Sequence, residues 1–432
     1  MISQSDGRSE MGVLADKIIE QVRIWETYNR RSGTPLPTAG VDLGTPTISS
    51  QTPRAVLEAR DGIIDSARSL LHLAAGPSKF PSIAMSYSQT IMALKWLFHF
   101  KIFDHVTEEP VTYETVATSA NVPLAELKRM LRIVMDSDVF YEGEDGKIMH
   151  NSFSRAFARD ENMKCGIPFF CDIAMRAAAS MAGATNRWPD SEDPYTTARN
   201  VAFKHQYTLP HYLAVDEQTE GFNGLMKLLG SEPGQDTGYS GHIALAFDWA
   251  NLARNSLVVD FGSGGACSWK LASMFPHLRF QVQGPQDKLS IVKDCISMKS
   301  PELLTRIDFC PRDIRDKQIT HAAQVYILAG ILQHLSDIEV RNVLINIAEV
   351  MALESSVIIV DSLLPEFDDG GPMTVRWESR CRDMTIRQLD NSGSRTMIVW
   401  EDLLNNDGYS LSLKTSARIS GGIVTMIAQA TS

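Results

Sequence analysis

The spacing of apolar side chains changes character near residue 250 of the chain. Before that point apolar residues recur at three- and four-residue steps, a spacing typical of amphipathic helices, and the first such series is Leu14, Ile18, Val22 and Trp25. After it, short apolar runs that suit buried strands alternate with helical segments. Strands alternating with helices predict a parallel, doubly wound sheet, so an α/β domain is expected after a mostly helical N-terminal part.

The helical part contains a winged-helix outline between residues 81 and 157. A helix with a clear apolar stripe is predicted around Leu131. It leads into two short strands within Val139–Met149, joined through Asp145-Gly146. That dipeptide favours a tight hairpin turn.

Two helices are predicted ahead of this segment. The second runs from about Arg54 to Leu73 and follows Ser32–Pro53, an exposed connector rich in Pro, Gly, Thr and Ser. Isolated amphipathic helices cannot bury their apolar faces alone, so they are expected to wrap their own domain or to pack against a second subunit. The predicted domains are residues 1–80 as a helical extension, 81–157 as a winged-helix-like domain, 158–250 as a helical linker and lid, and 251–432 as the sheet domain.

The predicted sheet fixes where a ligand would bind. Its strands are expected at Leu257–Asp260, Arg279–Gln283, Ile307–Cys310, Val325–Leu328 and Ser356–Val360, with a final pair near Tyr409–Leu413 and Gly422–Ile427. Ligands of doubly wound sheets bind at the carboxyl ends of the strands.

Composition narrows the class of protein. Apolar residues make up 44% of the 432 residues and charged residues 22%, which is typical of a soluble globular protein. A formal net charge of -11 argues against nucleic acid as a partner, since no basic tract offsets it. No apolar run reaches the roughly 20 residues that span a bilayer, and the N-terminus does not resemble a secretory signal. The six cysteines lack metal or disulfide spacing, so no metal, reduced thiols and a cytoplasmic location are expected.

Two motifs lie at strand ends. Leu257–Ala266 is a strand that ends in a glycine-rich turn, and Gly330–Asp337 follows the strand Val325–Leu328. This pair of motifs resembles the two-domain, class I O-methyltransferases of fungal secondary metabolism, and the resemblance covers nearly the whole chain. It implies a C-terminal Rossmann-like S-adenosylmethionine (SAM) methyltransferase sheet, with an N-terminal winged-helix domain that mediates homodimer contacts.

The resemblance implies SAM as cofactor. The cofactor-binding residues carried over from the family are Asp260, Gly262, Gly264, Gly265 and Asp313. The first four match the Asp-x-Gly-x-Gly pattern that holds the amino-acid part of SAM, and Asp313 stands where relatives contact the adenine amino group. Gly284 replaces the acidic residue that usually binds the ribose, although Asp287 lies close by in the sequence. A nicotinamide site is disfavoured because the full dinucleotide spacing is missing.

The catalytic loop departs from the family pattern. The family loop reads Leu-His-Asp-Trp-Ser-Asp, and its His deprotonates the acceptor hydroxyl. Here Gln333 takes that position, and a neutral amide cannot accept a proton at physiological pH. The two acids that orient the base map to Asp361 and Ser394, so a single carboxylate remains.

Two further polar residues of the loop stay ambiguous. His334 follows Gln333 directly, and adjacent residues of a helical turn point about 100° apart, so we expect it to face away from the base position. It is either packed at the helix surface or a relocated base. Asp337 either stabilises the N-terminus of the next helix or projects into the pocket.

These losses resemble a non-methylating branch of the family, the pericyclases. The resemblance implies dehydration of an alcohol to a quinone methide and a stereoselective hetero-Diels–Alder or Alder-ene cyclisation of a polyketide-derived, pyridone-type substrate. Gln333, His334, Asp337 and Ser394 are the polar candidates, and SAM can stay bound without being consumed. The pocket walls are expected from Phe169, Met175, Phe203, Trp377 and Met384. The alternatives are a SAM-dependent O-methyltransferase with a relocated base, acting on a phenolic or enolic metabolite, and an inert binding homologue.

Overall fold

The computed structural model describes two compact units. Residues 9–36, 48, 52–230, 239–366, 371–405, 411–419 and 423–430 are described. One unit comprises Met1–Gly183, Ala198–Gly234 and Pro372–Thr374, and the other comprises Ala184–Thr197, Gln235–Gly371 and Val375–Ser432. Most of the predicted Ser32–Pro53 connector lies outside the described residues. The finer four-part division stays a prediction.

The first unit is helical apart from a small hairpin. Its helices are α1 (Glu10–Ser32), α2 (Arg54–His99), α3 (Ile102–His105), α4 (Tyr113–Ala120), α5 (Leu124–Met135), α6 (Ser152–Arg159), α7 (Glu161–Phe169), α8 (Met175–Ala179), α10 (Ala198–Phe203), α11 (Leu209–Val215) and α12 (Thr219–Gly230), with a π-helical turn at Phe170–Ala174 and α9 (Met181–Arg187) crossing into the second unit. The strands are β1 (Tyr141–Glu142) and β2 (Ile148–Met149).

Helix α2 breaks just after the end predicted for it. Gly76 has φ 58° and ψ -178°, outside the helical region, and Pro77 follows it. Glycine adopts a positive φ without a Cβ clash, and proline lacks the N–H that the helix would use. A further helical stretch then continues to His99.

The helix and the hairpin predicted in this unit are both present, while their assignment to a winged-helix domain stays a prediction. Leu127, Leu131 and Val134 on α5 are buried in the core of this unit. Strands β1 and β2 pair antiparallel, and Gly146 in the turn has φ 72°. A positive φ at this position is the reason for the glycine.

The second unit contains a seven-stranded sheet. Its strands are β3 (Leu257–Phe261), β4 (Arg279–Gly284), β5 (Ile307–Pro311), β6 (Val325–Ala329), β7 (Ser356–Ser362), β8 (Leu411–Ile419) and β9 (Ile423–Ala430), in the order β5-β4-β3-β6-β7-β9-β8. Its helices are α13 (Tyr239–Ala246), α14 (Ala266–Met274), α15 (Gln286–Lys299), α16 (Asp337–Ala348), α17 (Met373–Asp390) and α18 (Met397–Leu404). The first five strands are parallel, as predicted, whereas β9 runs antiparallel to both β7 and β8, so the sheet is mixed.

The central strand β6 is buried along its whole length because both faces of the sheet are covered. On β6, Tyr326 and Leu328 pack into one core, while Val325 and Ile327 pack into the core on the opposite face. Successive side chains of a strand point to opposite faces, so a strand buried on both sides has a continuous apolar sequence. This explains why these strands were recognisable from short apolar runs.

Strands β3 and β6 are neighbours, and the chain direction of the crossovers reverses between them. Such a topological switch point opens a crevice at the carboxyl ends of the two strands. Both sequence motifs, the glycine turn after β3 and the loop after β6, begin there. The fold therefore brings together the two segments that sequence analysis selected.

Among the described residues, no single helix is long and apolar enough to cross a membrane, although the bent pair Glu161–Ala179 and Met181–Arg187 passes by length and composition.

Candidate active site

Asp260 stabilises the glycine turn from inside the protein. Its carboxylate is fully buried and accepts hydrogen bonds from the Ser263 hydroxyl (2.7 Å), the Ser268 hydroxyl (2.8 Å) and the Ser268 backbone N–H (3.0 Å). Burial raises the pKa of Asp260, and the hydrogen bonds from Ser263 and Ser268 act in the opposite direction. The structure therefore places this predicted cofactor residue as a brace that fixes the shape of the turn.

The three glycines of the turn are suited to their positions for different physical reasons. Gly262, Gly264 and Gly265 have φ values of 84°, 59° and 80°. A Cβ would lie 2.7 Å from the Ile331 Cβ at Gly262 and 2.7 Å from Val292 Cγ1 at Gly265. At Gly264 no heavy atom lies within 4 Å of that position, so the backbone there is open to a ligand. The cradle fits the amino-acid part of SAM.

The ribose and adenine side of the cleft is less complete. Gly284 ends β4 without a carboxylate, and a Cβ at this position would meet only Leu289 Cδ2 at 3.8 Å. Asp313 is exposed, where it accepts from the Arg315 N–H at 2.9 Å and pairs with the Arg315 guanidinium at 3.5 Å. The Asp313 carboxylate is therefore accessible from solvent, whereas Gly284 supplies no carboxylate at the end of β4. The adenine contact predicted for Asp313 stays a prediction.

Gln333 is fixed on a 3₁₀ turn, Leu332–His334, that follows β6. Its side chain is buried, and its Oε1 accepts from the Ser362 hydroxyl at 2.9 Å. Its Nε2 donates to the Tyr239 hydroxyl oxygen and to the Gly330 carbonyl, both at 3.4 Å. An amide with each polar atom bonded holds one orientation, so Gln333 is a fixed hydrogen-bonding group.

Asp361 binds the backbone of this loop. It is 1% exposed and accepts from the Gln333 N–H at 3.0 Å and from the Ser362 N–H at 2.7 Å. Burial raises its pKa to about 6, although these N–H groups and the charge of Arg395 lower it. The Asp361 carboxylate is therefore hydrogen-bonded to backbone N–H groups, whereas the side-chain amide of Gln333 bonds to Ser362, Tyr239 and Gly330.

His334 is half-buried beside the positive charge of Lys288, which lies on α15. Burial, followed by the Lys288 charge, lowers the pKa of His334 to about 4. The imidazole is therefore neutral at pH 7. A base with this pKa is a weak acceptor for a phenolic proton.

Asp337 pairs with Arg395 at the start of α16. Its Oδ1 accepts from Arg395 Nε at 2.7 Å, and the same guanidinium donates to the carbonyls of Leu332 (2.8 Å) and Leu335 (2.5 Å). Ser336 caps this helix. The structure thus places Asp337 in an ion pair that secures the catalytic loop.

Ser394 lies next to a carboxylate that sequence reasoning missed. Its backbone N–H donates to Asp383 Oδ1 at 2.7 Å, and a Cβ on Gly393 would come within 2.5 Å of that oxygen. Burial raises the pKa of Asp383, whereas the Ser394 N–H and the charge of Arg387 lower it. Asp383 lies on the strongly polar helix α17, where a single aspartate gives no local sign that it will bind the Ser394 backbone.

Three more residues join the loop through tertiary contacts. Arg382 donates to the Ser362 hydroxyl at 3.1 Å, and Ser362 donates onward to Gln333. Tyr239 stacks so closely on the loop that a Cβ at Gly330 would lie 2.2 Å from its ring. Ser362 was detectable as the neighbour of Asp361 at a strand end, whereas Tyr239 and Arg382 lie on helices far from it in sequence.

The expected apolar wall is divided between the two units. Phe169 is buried in the first unit, where Phe203 also lies beneath the Arg176 guanidinium at 4.2 Å. Met384 belongs to the second unit and is 44% exposed. The role of these residues in a pocket stays a prediction.

Chemically, the cluster around Gln333 suits hydrogen bonding to a polar group. It combines an amide, two hydroxyls and a guanidinium around a buried carboxylate whose oxygens bind backbone N–H groups. Such a set can orient and polarise a carbonyl or stabilise an anionic oxygen. The imidazole that would deprotonate a hydroxyl is replaced at position 333.

Comparison with known proteins identifies the family. The model of the O-methyltransferase domain matches residues 188–410. O-methyltransferase aurJ of Gibberella zeae is 32% identical over 428 residues, 96% of each chain, and O-methyltransferase VdtC of Byssochlamys spectabilis is 30% identical over 421 residues, again 96% of each.

Solved structures support the same fold. A pericyclic reaction enzyme matches with a TM-score of 0.71 at 20% identity, covering 86% of this chain and 94% of that one. LepI in complex with SAM matches with a TM-score of 0.72 at 19% identity, covering 96% and 100%. The prediction of a class I SAM-methyltransferase sheet with a helical N-terminal part is confirmed, with SAM as the cofactor of the family. The chain belongs to the O-methyltransferase domain family.

Proposed function

We propose that this protein is a SAM-binding pericyclase of secondary metabolism that acts on a small polyketide-derived pyridone alcohol without transferring a methyl group. The observation that carries this proposal is the buried amide of Gln333 at the position of the family base, hydrogen-bonded on both polar atoms. The imidazole of the next residue, His334, has a pKa lowered to about 4. Methyl transfer to a neutral hydroxyl needs a better proton acceptor than either group.

The proposed reaction is balanced without an added reagent. The substrate loses its alcohol oxygen as water, with one proton taken from the ring hydroxyl, and a quinone methide results. That intermediate then cyclises within the same molecule through an Alder-ene or hetero-Diels–Alder reaction, which moves bonding electrons and releases no atoms. Such a step is accelerated by holding one folded conformer and by donating hydrogen bonds to the carbonyl that gains electron density.

The cluster around Gln333 would supply these hydrogen bonds. In this proposal Gln333 and its neighbour Ser362 orient the polar edge of the site, and Asp361 holds the loop through the Gln333 N–H. Asp337 keeps the loop in place through Arg395, His334 lies within the loop, and the Ser394 N–H donates to Asp383. Gln333→Ala would then slow cyclisation or change the ratio of products, and unchanged rates and ratios would remove Gln333 from the site.

SAM would be held by the glycine turn and by Asp313. Gly264 offers open backbone, Asp260 braces the turn, and Gly262 and Gly265 keep their neighbours at close distance. When bound, the sulfonium of SAM supplies a fixed positive charge beside the substrate. Asp313→Ala is expected to weaken binding of S-adenosylhomocysteine (SAH) in calorimetry, and unchanged affinity would show that Asp313 makes no contact with the adenine.

The first experiment combines two mass measurements on the purified chain. Native mass spectrometry tests for bound SAM, and incubation with methyl-labelled SAM and a synthetic 4-hydroxy-2-pyridone bearing an alkenyl alcohol tests for reaction. Loss of water with retained SAM and no label in the product would support the proposal. A labelled, methylated product would overturn it.

The second candidate is SAM-dependent O-methylation, which the names of the relatives favour. It would require an acceptor that enters already ionised, because the cluster can stabilise an oxyanion through Arg382 and Ser362 but offers no imidazole at position 333. The same labelled assay separates the two, since O-methylation makes SAH stoichiometrically with product. Turnover of neither kind would favour the inert binding homologue.

A homodimer forms part of the proposal. Large apolar side chains are exposed along the second half of α2, where Phe80, Met85 and Tyr87 are 50%, 67% and 60% exposed. Exposed apolar clusters of this kind are typical of protein interfaces. Light scattering coupled to size-exclusion chromatography would give twice the mass of 47.9 kDa, and a monomeric mass would refute this part.

A further inference from the structure

His334 points away from the hydrogen-bonded cluster around Gln333. The Gln333 side chain bonds to Ser362, the last residue of β7, so it is directed toward the β7 side of the loop. His334 follows Gln333 on the same 3₁₀ turn, where successive side chains are about 120° apart. The loop begins after β6, and β7 and β3 are the neighbours of β6 on its two sides. This leaves the β3 side, where the glycine turn lies, for the imidazole.

Two observations on the β3 side place the imidazole at the cofactor crevice. The loop lies against the glycine turn, because a Cβ at Gly262 would be 2.7 Å from the Ile331 Cβ. Besides burial, the nearby charge of Lys288 on α15 lowers the pKa of His334. Helix α15 begins just after Gly284, at the carboxyl end of β4, and β4 and β6 are the two neighbours of β3. A side chain that starts beside β6 and lies near the start of α15 is therefore above the glycine turn.

The imidazole brings unused hydrogen-bonding groups to this crevice. Among the residues that the structure describes, none forms a hydrogen bond with either ring nitrogen of His334, and the residue is partly exposed. Because its pKa is lowered to about 4, the ring is neutral at pH 7. A neutral imidazole has one donor nitrogen and one acceptor nitrogen. A ligand hydroxyl, which both donates and accepts, matches either of them.

The crevice lacks its usual partner for such hydroxyls. In the family a carboxylate at the end of the second strand of the sheet domain binds the cofactor ribose, and Gly284 supplies no carboxylate there. We infer that His334 binds a ribose hydroxyl of SAM in place of that carboxylate. The hydroxyl donates to the acceptor nitrogen of the neutral ring, as it would donate to a carboxylate oxygen.

The inference rests on the proposed function only for the binding of SAM. It makes His334 a cofactor-binding residue instead of a relocated base. The two adjacent polar residues of the loop then serve opposite sides of β6, since Gln333 bonds toward β7 and His334 faces the crevice above β3.

The test is a double-mutant cycle between the imidazole and the ribose, measured by calorimetry. The probes are SAH and its 2′,3′-dideoxy analogue, which lacks both ribose hydroxyls. His334→Leu should weaken SAH binding by about 2- to 12-fold, the range for one net hydrogen bond. The same variant should change the affinity for the dideoxy analogue less than about 2-fold, because the hydroxyl that the imidazole binds is already absent.

His277→Leu is the matched control. His277 is also a half-buried imidazole of this unit, but it precedes β4, and its Nε2 bonds to the Trp249 carbonyl at 3.2 Å. Because β3, β4 and β6 are parallel, the amino end of β4 lies at the opposite edge of the sheet from the crevice. His277→Leu should therefore leave the affinity for both probes unchanged.

Equal losses of affinity for SAH and for the dideoxy analogue in His334→Leu would overturn the inference, because His334 would then act on another part of the cofactor. Unchanged SAH affinity in this variant, or no binding of SAH to the wild type, would overturn it as well. The labelled assay tests the proposed function separately. Label-free turnover leaves that function standing when His334→Leu binds SAH normally, and a methylated product overturns that function without touching the ribose contact.

A second measurement observes the imidazole directly. Nitrogen-15 labelling of the histidines reports the hydrogen bonds of their ring nitrogens by nuclear magnetic resonance, and the signal missing from His334→Gln gives the assignment. SAH at pH 7 should shift the ring signals of His334, whereas the dideoxy analogue should leave them close to those of the free protein. Shifts of equal size with both probes, or with neither, would overturn the inference even if His334→Leu does not fold.

Discussion

Arg395 offers the sharpest test of how the catalytic loop is held. Its guanidinium bonds Asp337 Oδ1 and the carbonyls of Leu332 and Leu335, and Arg395 itself is 7% exposed. Arg395→Met keeps much of the apolar stem and removes all three bonds. The Leu332 carbonyl still accepts from the Leu335 N–H at 3.1 Å, so the Leu335 carbonyl is the group left without this partner.

The magnitude follows from these contacts. A buried carbonyl without a partner costs about 1–3 kcal/mol, and loss of the half-exposed pair with Asp337 adds about 0.5–1 kcal/mol. The free energy of unfolding is therefore expected to fall by about 1.5–4 kcal/mol. Arg395→Lys should recover part of this loss, because one ammonium keeps the charge but cannot span three acceptors as the planar guanidinium does.

The assay is urea unfolding followed by circular dichroism and by tryptophan fluorescence, since Trp400 lies beneath the Arg395 guanidinium at 5.4 Å. Arg341→Met is the matched control, because Arg341 pairs with an exposed Asp402 at 2.5 Å and should cost less than about 1 kcal/mol. If Arg395→Met loses no more stability than Arg341→Met, the idea that Arg395 holds the loop in place is refuted.

Three further predictions concern the same cleft. Asp361, with its pKa raised to about 6, makes folding less favourable as pH rises from about 4 to 6, by about 3 kcal/mol, whereas His334, with its pKa lowered to about 4, makes folding more favourable as pH rises from about 4 to 6.5. Relative to the wild type, Asp361→Asn should gain stability as pH rises from about 4 to 6, because the buried ionised carboxylate is removed, and His334→Leu should gain stability in acid, because the buried imidazolium is removed. Parallel pH profiles of the two variants would contradict both assignments. Gly284→Asp has room for its side chain and should tighten SAH binding about tenfold in calorimetry by supplying a carboxylate to the ribose hydroxyls; unchanged affinity would mean that the ribose lies elsewhere. Gln333→His should bring methyl transfer from labelled SAM to a phenolic acceptor, because an imidazole then lies beside the buried Asp361; complete absence of label over a broad panel of phenols would show that more than the base has been lost.

The fold was largely readable because burial on two faces leaves a local trace. The strands β3, β6 and β7 lie close to their predicted bounds, since the apolar side chains that dominate them each enter one of two cores. The direction of β9 was not readable in this way. An antiparallel partner satisfies the same backbone hydrogen bonds and the same burial, so the mixed character of the sheet left no mark on the pattern.

The candidate site also contains features that were predictable from the sequence and features that were not. Glycines 262, 264 and 265, the missing acid at Gly284 and the amide at Gln333 were visible because each concerns a residue type at a motif position. What Asp337 does was not visible, since its partner Arg395 lies far along the chain. A carboxylate at the start of a helix has the same local sequence whether it pairs with an arginine or faces a pocket.

By itself the sequence determined which segments become strands, where the glycine turn lies, and that the family base is absent. The strands and the turn follow from side-chain size, polarity and backbone freedom, which act over a few residues, whereas the absent base follows from the resemblance to the family. Only the tertiary structure decided that Tyr239, Ser362 and Arg382 meet at Gln333, and which way their hydrogen bonds run. Hydrogen-bond direction depends on distances between residues of separate elements, and the packing of the sheet against its helices is what sets those distances.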